Sequence, residues 1–247
     1  MSSKIDLWHG DCLELMKNIP DGSIDLVLTD PPYQLTACKW DKVIPFEPMW
    51  KELKRIIKSN GAICLFGSEP FSSHLRLSNL KWFKYDWVWH KNKPSGMLNA
   101  KKQPMRDIEI LSVFYAKQPS YFPIKENRID KNNRLKTPLI TKDFGSSIYG
   151  KKSGTEKKIV SDLRYPSQYK YFEVVSKRSE KKHPTQKPVA LLEYLIKTYT
   201  LENETVLDFT MGSGSTGVAA KNLNRDFIGI ELDETYFKIA QERIADA

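Results

Sequence analysis

Two short loops, far apart in the chain, carry residue types that could do chemistry. The first is Asp30-Pro31-Pro32-Tyr33, directly after the apolar run IDLVLTD (Ile24 to Asp30). Two consecutive prolines fix φ and remove two backbone donors. What remains is an acceptor-only patch, the Asp30 carboxylate plus exposed carbonyls, bordered by the Tyr33 ring. Such a patch suits a planar group bearing an NH2. Asp30 and the Pro31 or Pro32 carbonyl accept its two N–H bonds, while Tyr33 stacks on the ring. The bland alternative is a rigid turn with a helix-capping aspartate.

The second loop is DFTMGSGSTG, Asp208 to Gly217, between an apolar strand and a helix. It contains GxGxxG (Gly212, Gly214, Gly217), glycines that would let a nucleoside approach the backbone closely. Glu231 ends the next strand, where a carboxylate can hydrogen-bond a ribose. Alone, this pattern also fits a dinucleotide site. Asp208 argues against that, since it would repel a pyrophosphate, and it suits the cationic methionine portion of AdoMet better. The two loops then make one chemistry. An exocyclic amino nitrogen is a poor nucleophile because its lone pair is delocalised into the ring. Hydrogen bonds accepted from both its protons localise that lone pair for in-line attack on a sulfonium methyl, and Asp30 stabilises the charge developing on nitrogen.

These loops need strands to hold them. IDLWHG (5–10), IDLVLTD (24–30), AICLFG (62–67), YDWVWH (85–90), IEILSVFYA (108–116), TVLDF and FIGIEL (227–232) read as strands. Helices are expected over CLELMKN, over FEPMWKELKRIIKSNG with Gly61 at its end, over Val189–Tyr199, over VAAKNLN and after Asp233. Strand-helix alternation with near-continuous apolar strands predicts an α/β, doubly wound sheet with helices on both faces. A loop at a strand's carboxyl end is where such sheets place ligands. Residues 117–182 break the rhythm and read as an insertion. They carry 17 Lys+Arg against 7 Asp+Glu, whereas the rest of the 247-residue, +9 chain is near neutral. That block is the footprint expected of polyanion binding, with Tyr121, Tyr149, Tyr165, Tyr169 and Tyr171 interleaved for stacking or as small local cores.

Composition excludes other classes. No apolar run approaches a membrane span, and MSSKIDLWHGD lacks a signal-peptide core, so a cytoplasmic protein is expected. Cys12, Cys38 and Cys64 form no disulfide or metal spacing, and the four histidines form no zinc pattern, so no metal is expected.

The loops, in this order, resemble the β-class of amino-DNA methyltransferases, in which a DPPY motif precedes the target-recognition region and the AdoMet glycine motif comes last. The resemblance covers nearly the whole chain outside 117–182. It implies a seven-stranded, circularly permuted Rossmann-like methyltransferase sheet. Residues 1–116 and 183–247 would form the catalytic and AdoMet-binding domain, and 117–182 the target-recognition insertion. Asp30, Pro31, Pro32 and Tyr33 would be catalytic. Asp11, Cys12, Asp30, Lys187, Asp208, Phe209, Gly212, Ser213, Gly214, Thr216 and Glu231 would bind AdoMet. The family form has Pro before Phe209 and Ala at Met211. HPTQKP points to Thr185, Gln186, Lys187 and Pro188 beside AdoMet, and QPMRDIEI to Arg106 and Glu109 near an extruded base. From the residues alone, Asp11 equally fits a cap on the next helix, Lys187 a solvated charge, and Trp87 and Trp89 the core.

The resemblance implies site-specific methyl transfer from AdoMet to adenine N6 in double-stranded DNA after base flipping, with cytosine N4 as the alternative. Asp rather than Ser before Pro-Pro tips this toward adenine by family habit. Members often dimerise, although no interface signature is visible here. More distant alternatives are an RNA methyltransferase, a nicotinamide-dependent oxidoreductase and a non-catalytic DNA-binding protein on the same fold.

Overall fold

The computed structural model describes residues 3–34, 42–127, 139–140, 158–159, 163–175 and 186–247. The chain divides into two compact units, Met1–Phe122 with Gln168–Ala247, and Pro123–Ser167.

The first unit opens with β1 (Ile5–His9), α1 (Cys12–Leu15), β2 (Ile24–Thr29), α2 (Phe46–Ile56), β3 (Ile57–Gly67), α3 (Phe71–Ser78), β4 (Phe83–Ser95) and β5 (Arg106–Phe114). The second unit holds two antiparallel pairs of two-residue strands. They are β6 (Glu126–Asn127) with β9 (Leu163–Arg164), and β7 (Leu139–Ile140) with β8 (Lys158–Ile159). The chain then returns to the first unit as β10 (Tyr169–Phe172), α4 (Val189–Tyr199), β11 (Thr205–Asp208), α5 (Ser215–Asn222), β12 (Asp226–Glu231) and α6 (Glu234–Ala245).

The strands of the first unit form one eight-stranded sheet in the order β1-β12-β11-β2-β3-β5-β4-β10. Neighbours pair in parallel except on either side of β5, which runs antiparallel to both β3 and β4. The carboxyl ends of the parallel strands therefore share one edge with the amino end of β5. The α/β fold with helices on both faces is as expected. Leu26 and Leu28 face α4, α5 and α6, and Val27 faces the layer of α1, α2 and α3. All six residues of β2 are buried, which is why it reads as a continuous apolar run. Asp25 is tolerated there because Lys58 pairs with it at 2.8 Å and the Thr205 amide donates to it.

Three expectations change. The sheet has eight strands among the described residues, not the implied seven, because Tyr169–Phe172 inside the 117–182 segment pairs with β4. Its inward position is a lysine, so no apolar alternation shows. Buried Lys170 lies over the Trp87 and Tyr194 rings at 5.6 and 5.1 Å, a cation–π contact. Next, the helix over FEPMWKELKRI stops at Ile56. Ile57 already pairs with Ile24, and Gly61 lies inside β3 rather than capping the helix, with no room for a Cβ against the Asp25 carbonyl at 2.8 Å. Lastly, α3 was not anticipated, because FSSHLRLS mixes serines into its first turn. Among the described residues no helix is long and apolar enough to cross a membrane.

Helix α4 is tied to the sheet by a buried hydroxyl. The Tyr199 phenol accepts from Trp87 Nε1 at 2.7 Å and shares a hydrogen bond with the Tyr85 hydroxyl at 2.8 Å. Tyr199→Phe keeps the packing but leaves Trp87 Nε1 buried without an acceptor. It is expected to cost about 1–3 kcal/mol, read as a lower urea midpoint with an unchanged m-value.

Candidate active site

The DPPY loop leaves the carboxyl end of β2, and the glycine loop leaves that of its neighbour β11. Residues about 180 positions apart in sequence therefore touch. The Thr210 hydroxyl donates to the Asp30 carbonyl at 3.1 Å, and the Phe209 amide donates to the Thr29 hydroxyl at 3.2 Å.

Asp30 is the first member of a buried chain of charges. Its Oδ1 accepts from the Tyr33 hydroxyl and its Oδ2 from Lys187 Nζ. Lys187 also lies 3.3 Å from Glu109 Oε2, and Glu109 Oε1 accepts from Lys91 at 3.1 Å. The Lys187 and Lys91 side chains are only 8% and 7% exposed, and those of Asp30 and Glu109 are 23% and 21% exposed. Four elements contribute: the loop after β2, the segment entering α4, the amino end of β5 and the end of β4. The chain alternates in sign and is neutral overall, which is what lets these groups be buried. Burial pushes Asp30 above the usual carboxylate range and Glu109 adds to this, while Lys187 and Tyr33 oppose it. Burial works on Glu109 too, but Lys187 and Lys91 overcome it and hold that carboxyl below its ordinary value. Lys187 is held above its ordinary value by its two carboxylates against burial, and so stays charged. Lys187 is no solvated charge, and the DPPY patch is not acceptor-only, because Lys187 donates into it. Pro31 is buried, and the Tyr33 ring packs on Phe71 with centroids 5.0 Å apart.

The glycine loop is an internally stapled turn. Asp208 is 3% exposed, and burial pushes its carboxyl up to about 7. The Thr210 amide and the Thr216 and Thr29 side chains hydrogen-bond to it. Gly212 takes a left-handed φ of 52° that aims its amide at Glu231 Oε2, 2.8 Å away. The Asp233 amide holds the other Glu231 oxygen at 2.8 Å. Burial raises Glu231 above its ordinary value. Two of the three glycines serve packing. A Cβ at Gly214 would lie 2.9 Å from Ala240 Cβ, and one at Gly217 would strike Ile244 and, at 2.7 Å, Phe227. Gly214 also starts α5 with a left-handed φ of 78°. Phe209 is fully buried, and Ser213 receives Arg243 on its hydroxyl at 2.9 Å.

Asp208, Glu231 and Asp30 thus end three adjacent strands, β11, β12 and β2. The first two, beside a tight glycine turn, form an acceptor set that fits a cationic nucleoside such as AdoMet. Asp11 caps α1, its Oδ1 accepting from Leu13 at 2.8 Å and Glu14 at 3.2 Å. Cys12 begins that helix, half-buried, with its thiol pushed up to about 12 by burial and by Asp11. Strand β1 pairs with β12, so both residues follow the strand next to Glu231. Trp87 and Trp89 are core. Tyr165, Tyr169 and Tyr171 are more than half exposed, whereas Tyr121 packs on Tyr199. Thr185, His183, Tyr149 and much of 117–182 lie outside the described residues, and Pro188 is buried at the start of α4. Among the described residues no three His, Cys, Asp or Glu are grouped to hold a metal. Sequence reasoning missed Lys91, Thr29 and Thr210. Lys91, one position beyond the apolar alternation of β4, gave the only usable signal.

The sequence profile of the DNA methylase family of N6/N4 methyltransferases matches residues 24–242. The type II methyltransferase M2.LlaDCHI of Lactococcus lactis subsp. cremoris is 32% identical across 96% of this chain and 88% of its own. The type II methyltransferase M.HinfI of Haemophilus influenzae is 28% identical across 96% and 67%. The crystal structure of the M1.HpyAVI–SAM complex superposes with a TM-score of 0.63 at 27% identity, covering 97% of this chain and 98% of that one. The cytosine-N4-specific PvuII DNA methyltransferase shares the fold, with a TM-score of 0.68 at 18% identity over 98% and 87%.

Lys187→Met keeps the stem and removes the shared cation. At pH 8 it is expected to cost about 3–5 kcal/mol, the range for breaking a buried pair. The loss shrinks toward pH 4. Glu109, with its folded value held below the ordinary 4.5, stabilises above that value, and this is lost as pH falls through its folded pKa. Urea unfolding of both proteins at pH 8 and pH 4 reads the difference.

Proposed function

The chain belongs to the N6/N4 DNA methylase family, and from that premise we propose that it methylates adenine N6 in duplex DNA, with Asp30 to Tyr33 clamping the amine. It is a DNA methyltransferase whose methyl donor is AdoMet. The observation that carries the proposal is the contact between the two loops. The Asp30 carbonyl bonded to Thr210 puts the amine acceptor against the glycine turn. AdoMet, when bound, supplies an electrophilic methyl on a sulfonium.

The chain's own groups do the rest. Asp30 is held by Lys187 and Tyr33, so its carboxylate direction is fixed before substrate arrives. The target amine takes the place of the Tyr33 hydroxyl on Oδ1 and gives its second N–H to a Pro31 or Pro32 carbonyl. Tyr33, released, covers the base ring. Positive charge building on nitrogen is met by Asp30 at no cost of reorganisation. Lys187 opposes the rise that burial gives Asp30 and so favours the carboxylate, which takes the proton as the methylated amine forms.

Asp208, Glu231, Asp11, Cys12, Phe209, Ser213, Thr216 and the turn at Gly212 and Gly214 form the AdoMet side, with Glu231 toward the ribose. The basic 117–182 segment contacts DNA phosphates, and as target-recognition region it chooses the site. Asp at position 30 supports adenine over cytosine. Relatives described as type II methyltransferases support a role in site-specific modification.

Labelled AdoMet incubated with unmethylated DNA, followed by digestion to nucleosides, is expected to give N6-methyladenine. N4-methylcytosine would overturn the adenine assignment, and unlabelled DNA across diverse substrates would overturn the function. Asp30→Ala is expected to abolish transfer while leaving AdoMet affinity within about threefold. Near-normal turnover would exclude the amine clamp. Asp208 makes AdoMet binding pH-dependent. Below about 7 its carboxyl is protonated and offers a cation little, so affinity should rise roughly tenfold from pH 6 to pH 8. Asp208→Asn should flatten that rise, as isothermal titration would show.

A further inference from the structure

Between the charge chain and the tip of the β4–β5 hairpin, the molecule presents a surface that the amine clamp does not use. Every residue from Asn92 to Ile108 is exposed, and Met97 and Leu98 at the tip are 74% and 100% exposed. The tip is nonetheless ordered by its own backbone. Gly96, at φ 92°, turns the chain into a 3-10 turn over Met97–Asn99. The Asn99, Ala100 and Lys102 amides then donate to Gly96, Met97 and Asn99 at 2.8 to 3.1 Å. An ordered turn that holds two large apolar side chains mostly in water gains little from them in the free protein.

Charge and position identify the partner. From Asn92 to Arg106 there is no acid, and Lys93, Lys101, Lys102 and Arg106 are basic. The foot of the hairpin is the active-site edge itself, for Trp89 pairs with Glu109, and Glu109 and Lys91 belong to the charge chain that reaches Asp30. The six residue steps from Lys91 to Met97 span at most about 22 Å of extended chain, the scale of a duplex. We propose that this hairpin is a wedge, with Met97 and Leu98 entering the base stack where the target base leaves it, and Lys93, Lys101 and Lys102 resting on the flanking phosphates. Apolar wedges fill unstacked steps in this way, and lysines on phosphates hold them in register. The inference rests on the reading that a base is extruded from duplex DNA.

The test uses the full chain and oligonucleotide duplexes carrying the site it modifies, mapped first by sequencing DNA that it has methylated. Met97→Ser with Leu98→Ser is expected to lower kcat/KM at least roughly tenfold on the paired duplex. An abasic nucleotide opposite the target, which removes the orphaned partner, is expected to bring the variant back within about threefold of wild type. Leu77→Ser, at another exposed leucine, on α3 (70%), should change neither. Equal activity of the wedge variant on the paired duplex, or the same loss on both duplexes, would overturn the proposal. So would a fall in hydrodynamic mass on substitution, which would assign the tip to a second copy of the chain. A wild type that labels no DNA fails the function itself, a result distinct from any of these.

Discussion

A buried run of alternating charges at one edge of the sheet is the constraint the other features answer to. Asp30, Lys187, Glu109 and Lys91 come from four separate stretches of chain and are buried with no net charge. Isolated, any one of them would be expelled to water or neutralised. Together they need every contributing element in register. The reversal of β5 is what delivers Glu109, because in a parallel strand that residue would sit at the far edge. The pairing also fixes the direction of the Asp30 carboxylate, which lies on a loop where two prolines have removed backbone freedom. Rigidity of the loop and of the ion chain thus point the same way, and preorganised acceptors are what an amine-activating site requires.

The other side of the site is built on a different economy of space. Its glycines are divided between two tasks that look alike in a string of letters. Gly212 supplies a left-handed turn that lets an amide hold Glu231, whereas Gly217 and Gly214 let α5 press on α6 and β12. Asp208 is enclosed by Thr29 of β2, Thr210 of the glycine loop and Thr216 of α5, and burial pushes its carboxyl up to about 7. One consequence is mechanical. The glycine loop and the Asp-Pro-Pro-Tyr loop are joined through Thr210 and Thr29, so neither loop shifts alone.

Much of this was legible in the sequence, and the reasons are specific. Ile24–Thr29 is buried on both faces, so its composition announced it, and the unusual Asp-Pro-Pro-Tyr after it marked the candidate site. The order of the two motifs pointed to the permuted sheet. What stayed hidden is what depends on long-range pairing. Strand β10 has a lysine where an apolar residue would be expected, because tryptophan and tyrosine rings accept its charge. From the residues alone Lys187 fitted a solvated charge as well as a site residue, since its partners are 157 and 78 residues away in sequence. The hairpin's four basic residues are hidden by the acids elsewhere outside 117–182, which leave that part of the chain near neutral.

The adjacency of β2 and β11 has a meaning for how the molecule comes to be. Strand β2 is complete within the first thirty residues, but the neighbour that covers one of its edges is not made until residues 205–208. During synthesis an apolar strand must wait, with open hydrogen-bonding groups, for most of the chain to emerge. Contacts of such long sequence separation close slowly. The arrangement that brings the two loops together therefore leaves the nascent chain open to mispairing at its centre, and makes a strand synthesised long after β2 the one that seals it.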